Sequence, residues 1–500
     1  MIRSIFSNWV GLLVVGVMSF LITPFMIHRL GDFQFGIYTL AFSAVGYSDV
    51  LTQGIRSTLQ RFTGRFSDAQ HREALNEVFS TALALTLIGG TIIIIIFCGF
   101  AGVLPSFFKL RAGQQHLFAQ LVILLGLNLG IGVPVALLGS YLCGLNRFDL
   151  YNLLSILKQS LRAVLILAVL LRGYGVIAVA TCVLVSTLMS VPLNWWMIVK
   201  IDPGVKLARK LVRLDTMREL VVFSFWTLLN NAGALLRDST DSIVIGRVLN
   251  AALITPFSVA SRLVGYFRPI IVSMVSPLLT RISKLEGQGR RDEIRRIFLN
   301  MTRLPALAAL AIGSILILHG RSLILLWVGA RYVWTYPILV LLTIGAVVSS
   351  AQLGTLHTLI ALGRHRAYGL WTIGEGLANL FLSILWAHKY GLIGVAWGTV
   401  VPLLAVKLTL QPWYTARVLG MSLGEYFQKG LARPLLACGL FVGICGFTAG
   451  FQANGSLWHL LATLSWQGVL LVLLAYLVGL SASDRMLLRL RFPAISRLVP

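Results

Sequence analysis

Charge is scarce in this chain. Of 500 residues only 12% are Asp, Glu, Lys or Arg, and just 17 are acidic. So little charge against 57% hydrophobic residues excludes a soluble fold, whose large surface would have to be wetted. Cysteine is also sparse. The five present (Cys98, Cys143, Cys182, Cys438 and Cys445) fall in or beside apolar runs and form no C-x-x-C pair, which argues against a disulfide framework or a thiolate zinc site. The eight histidines lack ligand spacing, so no metal site is expected. No G-x-x-x-x-G-K-[ST] occurs, which removes the phosphate cradle an ATP-driven pump would carry here.

What is present is apolar sequence in runs of about twenty residues, the length at which a helix rising 1.5 Å per residue crosses about 30 Å of hydrocarbon. Only helices and closed barrels satisfy their backbone in that medium, and runs this long mean helices. They predict spans near 8–28, 36–55, 78–104, 117–143, 151–171, 175–198, 219–246, 251–277, 304–326, 336–360, 369–387, 391–411, 433–450 and 458–479. The first is too long for the core of a cleaved secretory signal and ends in His28-Arg29-Leu30-Gly31 rather than small residues, so it reads as an uncleaved span. The expected fold is an all-α, polytopic membrane protein of about fourteen transmembrane helices.

The basic residues orient it. Of 42 Lys and Arg, 28 fall on the side of the loops 56–77, 199–218 and 278–303 and both termini, eight on the other side, and six within spans. By the positive-inside rule both termini are cytoplasmic. The net charge of +25 then reflects topology and contact with anionic membrane lipids. Nucleic acid is not an expected partner, because no aromatic residues interleave with the basic ones to stack bases.

The chain also resembles itself. At an offset of 219, Gly46-Tyr47 meets Gly265-Tyr266, His71-Arg72 meets Arg290-Arg291, Leu75 meets Ile294 and Phe79 meets Phe298. Six spans separate the matched positions, so the halves share one orientation and form a parallel repeat, an architecture of transporters with a site between lobes. This divides the chain into an N-terminal lobe (1–200, six helices), a basic cytoplasmic linker (201–218), a C-terminal lobe (219–411, six helices) and 412–500, holding two extra helices and a basic tail.

An ionised side chain inside a span costs at least a few kcal/mol unless it faces a partner or a wet cavity. The basic ones are Lys158, Arg162, Arg237, Arg262, Arg268 and Lys407; the acidic ones are Asp49, Asp238, Asp241 and Glu375. Lys407 lies near a cytoplasmic end and is expected to snorkel. Arg237 and Asp241, four apart, can neutralise each other or act in function. Lys158 and Arg162 are also four apart but carry the same sign, which needs water or an anion. Glu375 has no local partner and is expected either to pair with an arginine or to hold a coupling cation, as is Asp241. The excess of positive charge favours anionic cargo, and guanidinium groups suit a lipid diphosphate.

Certain residues resemble a known family. Pro24, Leu30-Gly31, Phe35-Gly36-Ile37-Tyr38 and Gly54, then Asp241-Ser242-Ile243-Val244-Ile245-Gly246 and Ser258-Val259-Ala260-Ser261-Arg262-Leu263, are similar to the polysaccharide flippase branch of the multidrug/oligosaccharidyl-lipid/polysaccharide exporter superfamily. Here Leu249-Asn250 stands where the family commonly has Leu-Gly. The resemblance implies a flippase, not an enzyme, that carries an undecaprenyl-diphosphate-linked glycan across the bacterial cytoplasmic membrane. Its cavity would be lined by Arg262 with Lys158, Arg162, Arg237 and Arg268. It also implies coupling to H+ or Na+ with no other cofactor, and polysaccharide polymerase and assembly proteins as partners. The alternatives are a drug or metabolite cation antiporter of the same superfamily, or a membrane polysaccharide polymerase or glycosyltransferase. The first would prefer acidic residues around its cargo, and the second needs a larger outward loop than this chain has.

Overall fold

The computed structural model describes residues 2–46, 59, 63, 72–108, 110–222, 239–364, 366–448 and 457–480. The chain is 91% helix, with no strand among the described residues, and ten of the described helices are long and apolar enough to cross a bilayer. They are α1 (Ile2–Gly46), α2 (Arg72–Phe100), α3 (Ala112–Gly144), α4 (Phe148–Leu171), α5 (Val176–Ile201), α6 (Ile254–Gly265) and α7 (Arg268–Gly287), followed by α8 (Arg291–Val328), α9 (Tyr336–Ala351), α10 (Leu353–Ala361), α11 (Arg366–Ala405), α12 (Gln411–Leu419), α13 (Ala432–Thr448) and α14 (Leu457–Leu474), the shorter pieces joining into spans across brief breaks. Two compact units emerge, Met1–Pro256 and Phe257–Pro500.

In the first unit, α2 and α3 meet through glycine. A Cβ on Gly90 would overlap the carbonyl oxygen of Gly130. Helices in lipid gain little from apolar contact alone, so close backbone approach and interhelical hydrogen bonds hold them. One such bond runs from Thr187 Oγ1 on α5 to Asn128 Oδ1 on α3, at 2.7 Å.

The basic segment expected as a linker is fastened along α2. Asn76 donates to the Gly204 carbonyl (3.3 Å) and accepts from the Lys206 amide (3.0 Å). One turn on, Thr81 donates to the Leu211 carbonyl (3.4 Å) and accepts from the Arg213 amide (3.2 Å). Asp202 anchors the strap by pairing with Arg72 and accepting a 2.7 Å bond from the Tyr141 hydroxyl. The second unit fastens its own strap with the opposite polarity. Arg295 of α8 donates to the carbonyls of Leu419 (2.5 Å) and Gly420 (2.6 Å), and Arg303 to that of Lys429 (2.6 Å).

The internal repeat is visible in these anchors. Phe79 and Phe298, matched at an offset of 219, are both fully buried, and each lies against a tyrosine ring, Tyr141 at 4.5 Å and Tyr426 at 5.8 Å. Tyr141 is on a helix and bonds to the strap, whereas Tyr426 is on the strap and bonds to Gln352 between helices at 3.0 Å. The same contact is made with donor and acceptor sides exchanged.

A second reciprocal contact lies within the first unit. A Cβ on Gly36 would overlap the carbonyl of Ala251, and Thr255 Oγ1 donates to the Asp32 carbonyl at 2.6 Å. At an offset of 219, Gly36 maps to Thr255 and Asp32 to Ala251, so each contact is the image of the other. The glycine in Phe35-Gly36-Ile37-Tyr38 is thus explained by close approach to another backbone. Gly31 takes the left-handed φ of 74° that breaks α1, while its counterpart Asn250 is extended (φ −157°) and its side chain accepts from the Ala252 amide at 2.9 Å. An extended residue has no need of glycine, which accounts for Leu249-Asn250 in place of Leu-Gly.

Gly36→Ala is expected to destabilise the detergent-solubilised protein by about 1–3 kcal/mol through overpacking, read as a lowered melting temperature. Gly89→Ala, where nothing lies within 4 Å, serves as the neutral control. Asn76→Ala removes two strap bonds, and amide hydrogen exchange over 204–213 should accelerate about tenfold or more, each bond contributing about 0.5–1.5 kcal/mol.

Candidate functional site

The intramembrane charges gather at two places. In the second unit, α11 doubles back at Gly391 (φ 59°, ψ −137°). Its legs run antiparallel and close together, because a Cβ on Gly394 would overlap the Trp386 carbonyl and one on Gly398 would strike Ser383. This register sets Glu375, sixteen residues before Gly391, opposite Lys407, sixteen residues after it. Lys407 Nζ lies 3.5 Å from Glu375 Oε2, and the two side chains are 2% and 1% exposed. The ammonium also donates to the Tyr368 hydroxyl at 3.2 Å and sits 4.9 Å from the centre of that ring. At 1.5 Å per residue, the pair is about 24 Å from the hairpin tip.

Lys407 occupies a π-helical turn, Val406–Leu410. Pro412 follows and has no amide to donate to the Leu408 carbonyl, so the bonding register slips by one residue just before it. One turn from the pair towards the hairpin tip, Asn379 Oδ1 accepts from Ser383 Oγ (2.9 Å) and Thr399 Oγ1 (3.5 Å), and Ser383 also reaches the Val395 carbonyl (3.3 Å). These polar groups bridge the legs without charge.

In the first unit, Lys158 and Arg162 share one face of α4, both half-buried within a span. No acidic side chain among the described residues pairs with either. Nearby, Ser160 Oγ donates to Met18 Sδ at 3.6 Å, which ties α4 to α1.

The other expected residues are dispersed. Arg262, in the last turn of α6, and Arg268, at the start of α7, are half-buried in the second unit. Asp241 is buried in the helical segment 239–244 of the first unit. Arg237 and Asp238 lie outside the described residues, and with them the expected Arg237–Asp241 pair. The structure corrects the expectation for Lys407. It does not snorkel but turns into the hairpin, because an internal carboxylate is closer than the membrane surface. Glu375 pairs with this lysine and not with an arginine. The equal spacing of both from Gly391 was the one sequence signal available, and nothing in the sequence marked Tyr368. Among the described residues no three His, Cys, Asp or Glu side chains cluster as a metal site, and no disulfide joins the cysteines.

Many apolar spans with a few charges held inside them define a multi-pass membrane transporter rather than an enzyme. Known proteins agree with that class. Residues 29–337 match the family described as polysaccharide biosynthesis protein, and the chain belongs to that family. It is 22% identical over 460 residues to the uncharacterized membrane protein EpsK of Bacillus subtilis, covering 88% of this chain and 87% of that one. It is also 22% identical to a putative O-antigen transporter of Shigella flexneri, over 78% of this chain and 92% of the relative. The solved structure of the lipid II flippase MurJ in an inward closed conformation superposes with a TM-score of 0.70 at 15% identity, covering 95% and 97% of the two chains. The fold is thus that of the multidrug/oligosaccharidyl-lipid/polysaccharide exporter superfamily, as the first-helix motifs implied.

Lys407→Met leaves the Glu375 charge buried without its ammonium and should cost about 3–5 kcal/mol. The double change Glu375→Gln/Lys407→Met should regain most of that loss in a thermal unfolding assay, since neither member is then left alone.

Proposed function

We propose that the chain is a flippase moving an undecaprenyl-diphosphate-linked sugar repeat unit from the cytoplasmic to the periplasmic leaflet of the bacterial cytoplasmic membrane. The observation that carries this reading is the pair Lys158 and Arg162: two like charges, half-buried on one face of a spanning helix. Two cations held so close inside a membrane repel each other and resist desolvation. An anion with several oxygens relieves both, and a diphosphate offers a lysine a point contact and an arginine a bidentate one. The family's role in polysaccharide biosynthesis supports a lipid-linked glycan as the bearer of that diphosphate.

Arg262 and Arg268 extend the same chemistry into the second unit. On this reading the fourteen spans have both termini in the cytoplasm, and the lobes rock around the cargo to expose it alternately to either side. The glycan is carried by its shared lipid diphosphate, so the sugars themselves need few contacts. Polymerase and assembly proteins would receive the delivered units.

Deletion of the gene should cause complete lipid-linked repeat units to accumulate inside the cell, detected by mass spectrometry of extracted lipids. Wild-type protein should reverse this. Lys158→Gln/Arg162→Gln, present in the membrane at equal amount, should lower export about tenfold or more, because a hydrogen bond to a charged group contributes about 1.5–3 kcal/mol. Undiminished export by that variant would sink the diphosphate reading. Single unpolymerised units outside the deletion strain would indicate a polymerase instead.

A further inference from the structure

We infer that Glu375 is the group on which this transporter binds its coupling ion, and that the ion is a proton. The inference rests on the chain being a gradient-driven transporter, but not on the identity of its glycan. A fully buried ion pair is poor scaffolding: withdrawing both charges from water offsets most of their attraction, and a well-packed apolar pair serves stability as well or better. Glu375 and Lys407 are nonetheless kept at 3.5 Å with almost no exposure, deep in a hairpin whose other contacts are apolar or neutral.

Three features of the site favour a proton over a metal cation. The position beside the carboxylate is already held by a tethered ammonium, itself fixed by the Tyr368 hydroxyl and ring. A sodium ion would have to share the carboxylate with that charge, whereas a proton removes the carboxylate's charge and needs no room. Next, Lys407 lies in a π turn, a local register slip that gives its segment an alternative bonding pattern close in energy. Finally, Gln411, one turn beyond Lys407 on the same helical run, is fully buried, and neither its Nε2 nor its Oε1 finds a partner in the protein. A buried amide with both functions unbonded calls for water as partner, and water is the medium that delivers a proton.

The surroundings leave few competing groups. On its own element, Glu375 faces Lys407 across the hairpin and Tyr368 below it. The packed helix α9 carries Tyr336 as its one ionisable side chain, bonded to the Ile317 carbonyl at 2.7 Å. From α12 come Tyr414, edge-on to Trp371, and Arg417, over the Trp413 ring. From α10 comes His357, buried, with its Nδ1 unbonded. In the proposed cycle the proton moves from water beside Gln411 to a Glu375 carboxylate oxygen, forming an O–H bond and leaving a neutral carboxyl. Lys407 keeps its protons and its charge, now held by Tyr368 alone. When the hairpin repacks, the O–H bond breaks and the proton leaves to water on the opposite side.

The test is a rapid pH jump on full-length protein reconstituted in phosphatidylcholine liposomes on a solid-supported membrane, with no lipid-linked sugar present. A transient current is expected on the pH jump and none on a sodium jump at constant pH. Glu375→Gln should lower the current at least tenfold, Glu375→Asp should retain it with a shifted pH dependence, and the structurally balanced Glu375→Gln/Lys407→Met should also lack it. The absence of a pH-evoked current in wild type, a sodium-evoked one, or an undiminished current in either neutral variant would overturn the inference. Since the assay contains no glycan, failure of the flippase reading would appear separately, as normal proton currents beside unaffected polysaccharide export.

Discussion

Hydrocarbon offers no hydrogen bonds, and every feature of this chain answers to that. Backbone amides must bond within their own helix, so the sequence folds as long helices whose breaks fall where another group takes over. Gly31 turns with a left-handed φ, Asn250 supplies a side-chain acceptor at the equivalent place, and the π turn at Val406–Leu410 absorbs the donor that Pro412 lacks. With apolar packing worth little between helices in lipid, contact is made by removing side chains, as at Gly90 against Gly130, or by neutral polar bridges such as Asn379 with Ser383 and Thr399.

The same constraint separates the two charged sites. Glu375 and Lys407 satisfy each other and sit deep in one hairpin, so their charges are balanced without any outside group. Lys158 and Arg162 share a sign and a helix face, and their balance has to come from elsewhere. A transporter of anions needs both kinds: a cationic surface that is completed only by cargo, and an internal pair whose protonation can change without cargo. Their placement in different compact units keeps these functions on separate frameworks.

The straps show how duplicated halves diverge. Both units clamp an extended basic segment against the helix that carries the matched phenylalanine, but in the first unit neutral Asn76 and Thr81 grip the strap and leave Lys206, Arg209 and Lys210 exposed. In the second, the helix arginines Arg295 and Arg303 do the gripping, and Lys429 on the strap is paired with Glu425. Conserving a contact while exchanging donor and acceptor leaves only a faint trace in the sequence. This is why the repeat showed itself at four scattered matches.

Composition and the lengths of apolar runs were enough to establish a polytopic helical membrane protein, since a twenty-residue run admits few other fates. The first-helix motifs carried the superfamily, and the intramembrane residues Lys158, Arg162, Arg262 and Glu375 were legible as costly charges. What the sequence could not express was partnership. Lys407 read by depth alone belongs at the membrane surface; only the reversal at Gly391, which brings residues thirty-two apart to the same level, makes it the partner of Glu375 and gathers Tyr368 to both. The linker likewise read as a loose basic tether until the side chains of α2 were seen holding it. Burial of a charge is a local property that a sequence displays, whereas its neutralisation depends on which distant segment the fold lays beside it.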